Sequence, residues 1–367
     1  MRALLAAFGL AGFLSGCATF ASLDLPRRMP AFGDPPVPIP YRDLRGAVHV
    51  HSRYSHDSKG TFDEIVRAAR KARLDFVVVT DHNTLQGLRE KMDGFYGNTL
   101  VLIGTEVSTG AGHLLALGIS EEPDRNQDAS EILRRIAAEG GLSFIAHGED
   151  KKKRWADWSV APLTGMEIYS LSSDVRADGH LAVGLGAIAL PPRLFFRSVF
   201  DKPEALLRRW DELLRERRLV GLGSLDAHAK VRLLGRPIDD YSTMFRVVQT
   251  HAWAHELSKG AVLEALKQGH VYVGFDLVAP IRNFLLWAES PKGVTLMGDE
   301  VKFGKDLELK VFVPRSGEIR LIKDGTLVAK KKGKFMKAFV TSPGVFRVEV
   351  YRRRKLWIVS NPLYVRS

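Results

Sequence analysis
The chain has 367 residues and a mass of 40.8 kDa, too long for one small domain. With 45% apolar and 26% charged residues it can bury a core, which excludes a disordered chain, and its single cysteine excludes an intramolecular disulfide framework. Lys plus Arg number 54 against 42 Asp plus Glu, a net charge of +12, and beyond the extreme N-terminus no apolar run reaches the roughly 18 residues of a membrane-spanning helix.

Residues 1–16 read as an export signal: a basic start at Arg2, an apolar stretch over 3–14, then Ser15-Gly16 before Cys17. The string Leu14-Ser15-Gly16-Cys17 resembles a bacterial lipoprotein box, in which the cysteine is lipidated and becomes the first mature residue. That resemblance implies a protein anchored in the cell envelope through lipidated Cys17, and Ala18 points to the outer membrane, facing the periplasm. Each buried methylene of the acyl chains contributes about 0.8 kcal/mol to anchoring. Residues 17–40 are expected to form a tether, since six prolines fall within residues 26–40 and favour an extended, semi-rigid chain.

The middle of the chain alternates strand and helix patterns. Residues 48–51 form a short strand. A helix is predicted over 61–73, because Thr61 and Glu64 have capping-box spacing and Phe62, Ile65, Val66, Ala69 and Ala72 make one apolar stripe. Strands follow at 76–79, 100–103 and 114–117. Asp128 opens a helix with Ile132, Leu133 and Ile136 on one face, and strands are predicted at 142–146 and 166–169. Pro203 starts a helix through Leu206, Leu207, Trp210 and Leu213, before a strand at 219–225. Such alternation argues for a parallel, barrel-like α/β domain over 41–280. After about residue 285 the period becomes two: Leu307, Leu309, Val311 and Val313, a hairpin signal at Asp324-Gly325, then Phe346, Val348 and Val350. Residues 285–367 therefore read as a small β-sandwich domain.

Side chains suited to metal binding recur where these strands end. His49 and His51 lie on the first, with Asp57 in the loop beyond. Asp81 and His82 follow the second, Glu106 the third, His147 ends 142–146, and Asp226 and His228 follow 219–225. His113 is the exception, since it opens an apolar run. In a barrel the carboxyl ends of the strands share one mouth, and alternate residues of a strand share one face, so His49 with His51 and Asp226 with His228 aim into common space. Setting Asp81 aside, six histidines and three carboxylates give nine donors. A tetrahedral ion takes four, so nine suggest two or three divalent ions, with nitrogen and oxygen donors that suit zinc, manganese or iron. His56, His180, His251, His255 and His270 do not fit the pattern, although His56 is placed to compete with Asp57.

The strings VHVHSRYSHDS, VVVTDHN, GTEVSTGAGHLLALG, FIAHG and GSLDAH, in this order, resemble the PHP (polymerase and histidinol phosphatase) superfamily of metal-dependent hydrolases, and most of all its CehA/McbA-like branch. The likeness spans roughly residues 41–276. It implies a distorted (β/α)7 barrel and assigns ligands. One ion is held by His49, His51, Glu106 and Asp226, a second shares Glu106 and uses His113 and His147, and a third uses Asp57, His82 and His228. Asp81 stands behind the ligands as a supporting catalytic residue. Gly148, where many relatives have proline, and an apolar insert over 181–200 depart from the family pattern and leave the substrate open.

Ions about 3.5–4 Å apart make hydroxide from water near neutral pH and clamp attacking and leaving oxygens, which suits hydrolysis of a phosphoester of small or lipid-linked type. Arg53 and the run Lys151-Lys152-Lys153-Arg154 are candidate phosphate clamps, the run reading equally as a solvated loop. Two alternatives stay open: hydrolysis of a non-phosphate ester or amide, and a non-catalytic, metal-stabilised binding module. From Pro280 onward 19 basic residues face 8 acidic ones, so +11 of the net +12 lies in the β-rich end, including Lys330-Lys331-Lys332 and Arg352-Arg353-Arg354-Lys355. A near-neutral metal domain argues against nucleic acid as substrate, and the basic end is expected to meet an anionic surface.

Overall fold
The computed structural model of the chain describes residues 36–150, 153–177, 192–230, 232–233, 236–237, 239–290 and 293–367. The export signal, Cys17, most of the tether, Lys151, Lys152 and residues 178–191, which include 181–191 of the apolar insert, lie outside them. The end of the insert, Pro192–Val199, is a helix that buries Phe195 and Phe196.

Local chemistry sets the helices. Helix α1 (Phe62–Ala72) begins at a reciprocal capping box, in which Thr61 N–H donates to Glu64 Oε2 at 2.8 Å and Glu64 N–H to Thr61 Oγ1 at 3.2 Å. It buries the expected stripe and ends where Arg73 enters left-handed backbone at φ 56°. Helix α2 (Ala129–Ala138) buries Ile132, Leu133 and Ile136, and α3 (Glu204–Leu214) buries Leu207, Trp210 and Leu213. Helix α4 (Lys259–Gln268) is capped by Ser258 and closed by Gly269 at φ 77°.

Seven strands follow one another by hydrogen bonding: β1 (Arg42–Val50), β2 (Phe76–His82), β3 (Thr99–Thr109), β4 (Gly112–Leu117), β5 (Leu142–Ile145), β6 (Gly165–Ser170) and β7 (Val220–Ser224). Just past β7 the chain returns to β1. Val50 bridges Ala227 in parallel, and His51 N–H donates to the Ala227 carbonyl at 2.9 Å. One expectation needs correction, because the strands are not all parallel. β4 runs antiparallel to both neighbours, since only Gly110 and Ala111 separate it from β3 and so short a link cannot make a parallel crossover.

Buried side chains sort by strand parity. Val48, Phe76, Val78, Leu100, Leu102, Leu115, Phe144 and Leu222 form one cluster, which α4 closes with Val262 and Leu266. The alternate residues Ala47, Val77, Val79, Val101, Ile103 and Ile145 pack instead with Ile65 and Ala69 of α1 and Ile132 and Ile136 of α2. The first set therefore lies on the inner face of these strands, which α4 covers, and the second on the face that α1 and α2 cover.

The β-rich end comprises β10 (Leu285–Ser290), β11 (Glu308–Lys323), β12 (Thr326–Phe339), β13 (Gly344–Arg352), β14 (Lys355–Ser360) and β15 (Leu363–Arg366), after β8 (Gln249–Ala254) and β9 (Val271–Gly274). Hydrogen bonding does not stop at residue 280. β1 pairs with β8, β8 with β9, and β9 with β14 through Tyr272–Ser360, Val273–Val359 and Gly274–Ile358. A buried ion pair adds to this joint, with Arg347 donating to both Asp211 oxygens at 2.6 and 2.7 Å and to Glu349 at 2.9 Å. The described residues of the two parts fall in one compact unit, a mixed α/β, sheet-rich fold.

Candidate metal centre
The inner face of β1 runs Leu44, Gly46, Val48, so regular pleating would turn His49 and His51 outward. The register shifts between Val48 and Val50, and His49 takes φ 66°. This bulge leaves Val50 with the outer cluster and brings both imidazoles inside. Left-handed backbone recurs at His147 (φ 33°) and Asp226 (φ 50°), each the first polar residue past a strand end. Such strain on non-glycine residues concentrates where side chains must be aimed. Because β4 is reversed, its amino end lies at the mouth that the carboxyl ends of its neighbours share, which explains how His113 joins the others.

Glu106 is the hub. Its Oε2 lies 3.0 Å from His49 Nε2, 3.1 Å from His51 Nε2 and 3.2 Å from His82 Nδ1. Its Oε1 lies 2.6 Å from His113 Nδ1 and 2.9 Å from His147 Nε2. Asp226 Oδ1 is 3.6 and 3.4 Å from the same nitrogens of His49 and His51. Asp57 contacts His228 Nε2 at 3.1 Å and His82 Nε2 at 3.5 Å. His49, His51, Glu106 and Asp226 offer donor atoms all within 4.8 Å of one another, as do His51, His82 and His228. All nine residues singled out in the sequence thus come together; exposed His56 flanks them beside Asp57 and His82.

Burial alone would raise the Glu106 carboxyl, yet His49 and the bonds from His113 and His147 hold it well below the usual carboxylate range. Burial alone would depress His49, but Glu106 and Glu167 hold it well above the ordinary imidazole value.

The chemistry of these atoms fits divalent cations. His49 Nε2, His51 Nε2, both nitrogens of His82, His228 Nε2, Asp57 Oδ1 and Glu106 Oε2 are buried without a hydrogen-bond partner, and they face one another. Unpaired buried polar atoms are costly, and converging imidazole and carboxylate donors are what zinc, manganese or iron coordinates.

Behind the donors, other groups fix the rings. His49 Nδ1 meets Glu167 Oε1 at 2.6 Å, and the other Glu167 oxygen accepts from the His147 N–H at 2.6 Å. Ser55 Oγ donates to Asp81 Oδ1 at 2.7 Å and accepts from the His82 N–H, so His51 Nδ1, 2.9 Å away, donates its proton to Ser55 and leaves Nε2 bare. Asp81, which also accepts from Ser52 N–H and Oγ at 2.7 Å, accordingly supports His51 from behind. His228 Nδ1–H donates to the Asp226 carbonyl at 2.8 Å. Such partners set tautomer and ring orientation at metal sites. Sequence reading missed Glu167 and Ser55. The signal for Glu167 was an acid inside the apolar run Met166–Tyr169, which only a buried partner can explain.

Arg53 is exposed, its guanidinium 5.8 Å from the Tyr54 ring, and Arg154 pairs with Glu149 at 3.1 Å. A cation not singled out in the sequence, Lys230, reaches Asp57 Oδ2 at 3.4 Å. Gly148 has a steric reason, since an added Cβ would lie 2.6 Å from the Trp158 ring. Three other histidines are tied to Asp43 (His251), Asp299 (His270) and the Pro40 carbonyl (His255).

Residues 47–222 match the family model of the PHP domain. Asp226 and His228 lie just past the matched span and join the cluster by geometry. A stretch of 116 residues is 28% identical to an uncharacterised protein of Methanocaldococcus jannaschii, covering 28% of this chain and 67% of that one. Among solved structures, the chain is similar to a two-domain protein from Bacteroides vulgatus containing a predicted PHP-like metal-dependent phosphoesterase (18% identity, TM-score 0.45, 92% of this chain and 100% of that one). It is also similar to PsfC from Pseudomonas syringae (14% identity, TM-score 0.36, 57% and 82%).

Proposed function
We propose that this chain is a metal-dependent hydrolase of the CehA/McbA-like branch, holding two or three divalent ions in a distorted seven-stranded barrel and cleaving a small or lipid-linked phosphoester. The observation that carries the reading is Glu106: five imidazoles approach its two oxygens within 3.2 Å, three on one oxygen and two on the other, as a bridging carboxylate requires. His49, His51, Glu106 and Asp226 would hold one ion, Glu106, His113 and His147 a second, and Asp57, His82 and His228 a third. Divalent ions so held supply a water of near-neutral pKa and a Lewis acid for a phosphoryl oxygen. Glu167 and the Ser55–Asp81 pair keep the His49 and His51 rings aimed. Lys230, at the rim beside Asp57, offers a positive charge to a substrate phosphate, with Arg53 farther out.

Metal analysis of purified protein tests this, followed by phosphomonoesters, phosphodiesters and carboxyl esters with and without chelator. Chelator-sensitive turnover that disappears in His49→Ala/His51→Ala supports it. Turnover that survives metal removal refutes it, and full occupancy with no turnover points to a binding module.

For location we infer export and anchoring through Cys17, with the basic end resting on an anionic envelope surface. Strand register supports the second part: Lys332 stands opposite Glu318, and Glu318 opposite Tyr351, so the lysine run at 330–332 and Arg352, next after Tyr351, lie one strand apart across β11. Burial, together with the charges of Arg315 and Arg353, lowers the affinity of Arg352 for its proton.

A further inference from the structure
At the amino ends of β2 and β3 lies a cavity of about 570 Å³. Asp75 on its wall is seven residues before His82, and Thr99 seven before Glu106, which by the rise of a strand puts the cavity about 23 Å from the candidate metal centre. Arg70, Arg73 and Arg282 line it, and Asp75 is the one acid among its lining residues. That acid is committed, since its Oδ2 accepts from the Arg45 N–H and from Arg282 Nη2, each at 2.8 Å. Arg282 is fixed further by Nη1 donating to the Asp43 carbonyl at 3.0 Å. The Arg70 side chain has no hydrogen-bond or ion-pair partner among the described residues and lies against Gly97, where an added Cβ would come 3.4 Å from its Nε. Arg70, in the last turn of α1, also complements the helix dipole. That does not account for Arg282, which reaches the same cavity from the segment after β9.

We propose that this cavity binds a phosphate dianion, either free or as the terminal group of a small phosphomonoester. Three arginines against one carboxylate among its lining residues give the concave wall a positive excess, and planar guanidinium matches phosphate oxygens in pairs. The site is separate from the metal centre and does not rest on the hydrolase reading, because occupancy is read without turnover.

Calorimetric titration of the chelator-treated full chain with inorganic phosphate, and separately with glycerol phosphate, in about 0.15 M chloride tests it. Saturable binding is expected, weakened roughly tenfold or more in Arg70→Gln/Arg73→Gln, as losing charge-assisted hydrogen bonds implies. It should persist in His49→Ala/His51→Ala. Binding of glycerol phosphate but not phosphate identifies the phosphomonoester as the ligand, and the reverse identifies free phosphate. If the double arginine variant fails to fold, Asn98→Asp puts a carboxylate at the cavity wall with every arginine kept, and affinity should again fall. No saturable binding, unchanged affinity in Asn98→Asp, or binding lost only when His49 and His51 are replaced would overturn the proposal.

Discussion

Glu167 is the residue on which the geometry places most. One of its oxygens holds His49 Nδ1 and the other holds the backbone of His147, so a single buried carboxylate positions donors from two strand ends. Glu167→Gln should weaken metal affinity by about 10–100-fold, the usual effect of removing a partner behind a ligand, while leaving the fold intact. Metal titration with a competing chelator measures it, and excess metal should restore much of the lost turnover. His49→Ala/His51→Ala, by contrast, should lose metal and turnover beyond rescue. The candidate metal donors could be picked out in the sequence because histidine and carboxylate are scarce beside apolar strands and, His113 and the loop residue Asp57 apart, stood at strand ends. Glu167 was not, because a lone acid inside an apolar run shows its purpose only when its partners are known.

Among the elements, α1 was readable almost to the residue, since its capping box and apolar stripe are local properties. Thr61→Ala removes the hydroxyl that accepts from the Glu64 N–H and should cost about 1 kcal/mol by denaturant unfolding, with turnover of metal-loaded protein unchanged. β1 behaves differently. The alternation of His49 and His51 told that both share a face but not which face, because the bulge after Val48 depends on pairing with β2, a strand distant in sequence. The reversal of β4 had a local cause in its two-residue link to β3, yet its consequence, placing His113 at the mouth, depends on the neighbouring strands.

The whole molecule is joined where β9 meets β14 and where Arg347 meets Asp211 and Glu349. Burial would raise the Glu349 carboxyl, but Arg347, with Tyr351 and Lys202, holds it below its ordinary value. A carboxyl lowered on folding stabilises above its unfolded pKa of about 4.3, and that stability is lost as pH falls through the folded value. The melting temperature of the native chain should therefore exceed that of Glu349→Gln at neutral pH, and the gap should close as pH drops below about 4. Arg347→Ala takes the arginine from Asp211, leaves Glu349 with Lys202 and Tyr351 alone, and should cost about 3–5 kcal/mol. At the same scale, glutamine at Lys330, Lys331, Lys332, Arg352, Arg353 and Arg354 should abolish cosedimentation of a delipidated chain with anionic vesicles. Binding in the native chain should weaken steadily with salt. Retention that ignores salt, or none in the native chain, removes the surface contact from the proposal.

By itself the sequence determined the helix with its caps, the order of strands, the nine donor side chains and the concentration of positive charge after residue 280, because each depends on neighbours within a few residues or on composition alone. Tertiary structure decided the inward turn of His49 and His51, the role of Glu167, the placing of two basic runs one strand apart and the continuous joint between strands β1 to β7 and the β-rich end. Those features are made by hydrogen bonds and packing between segments far apart in the chain, and no local pattern of residues encodes which distant strand a given strand will meet.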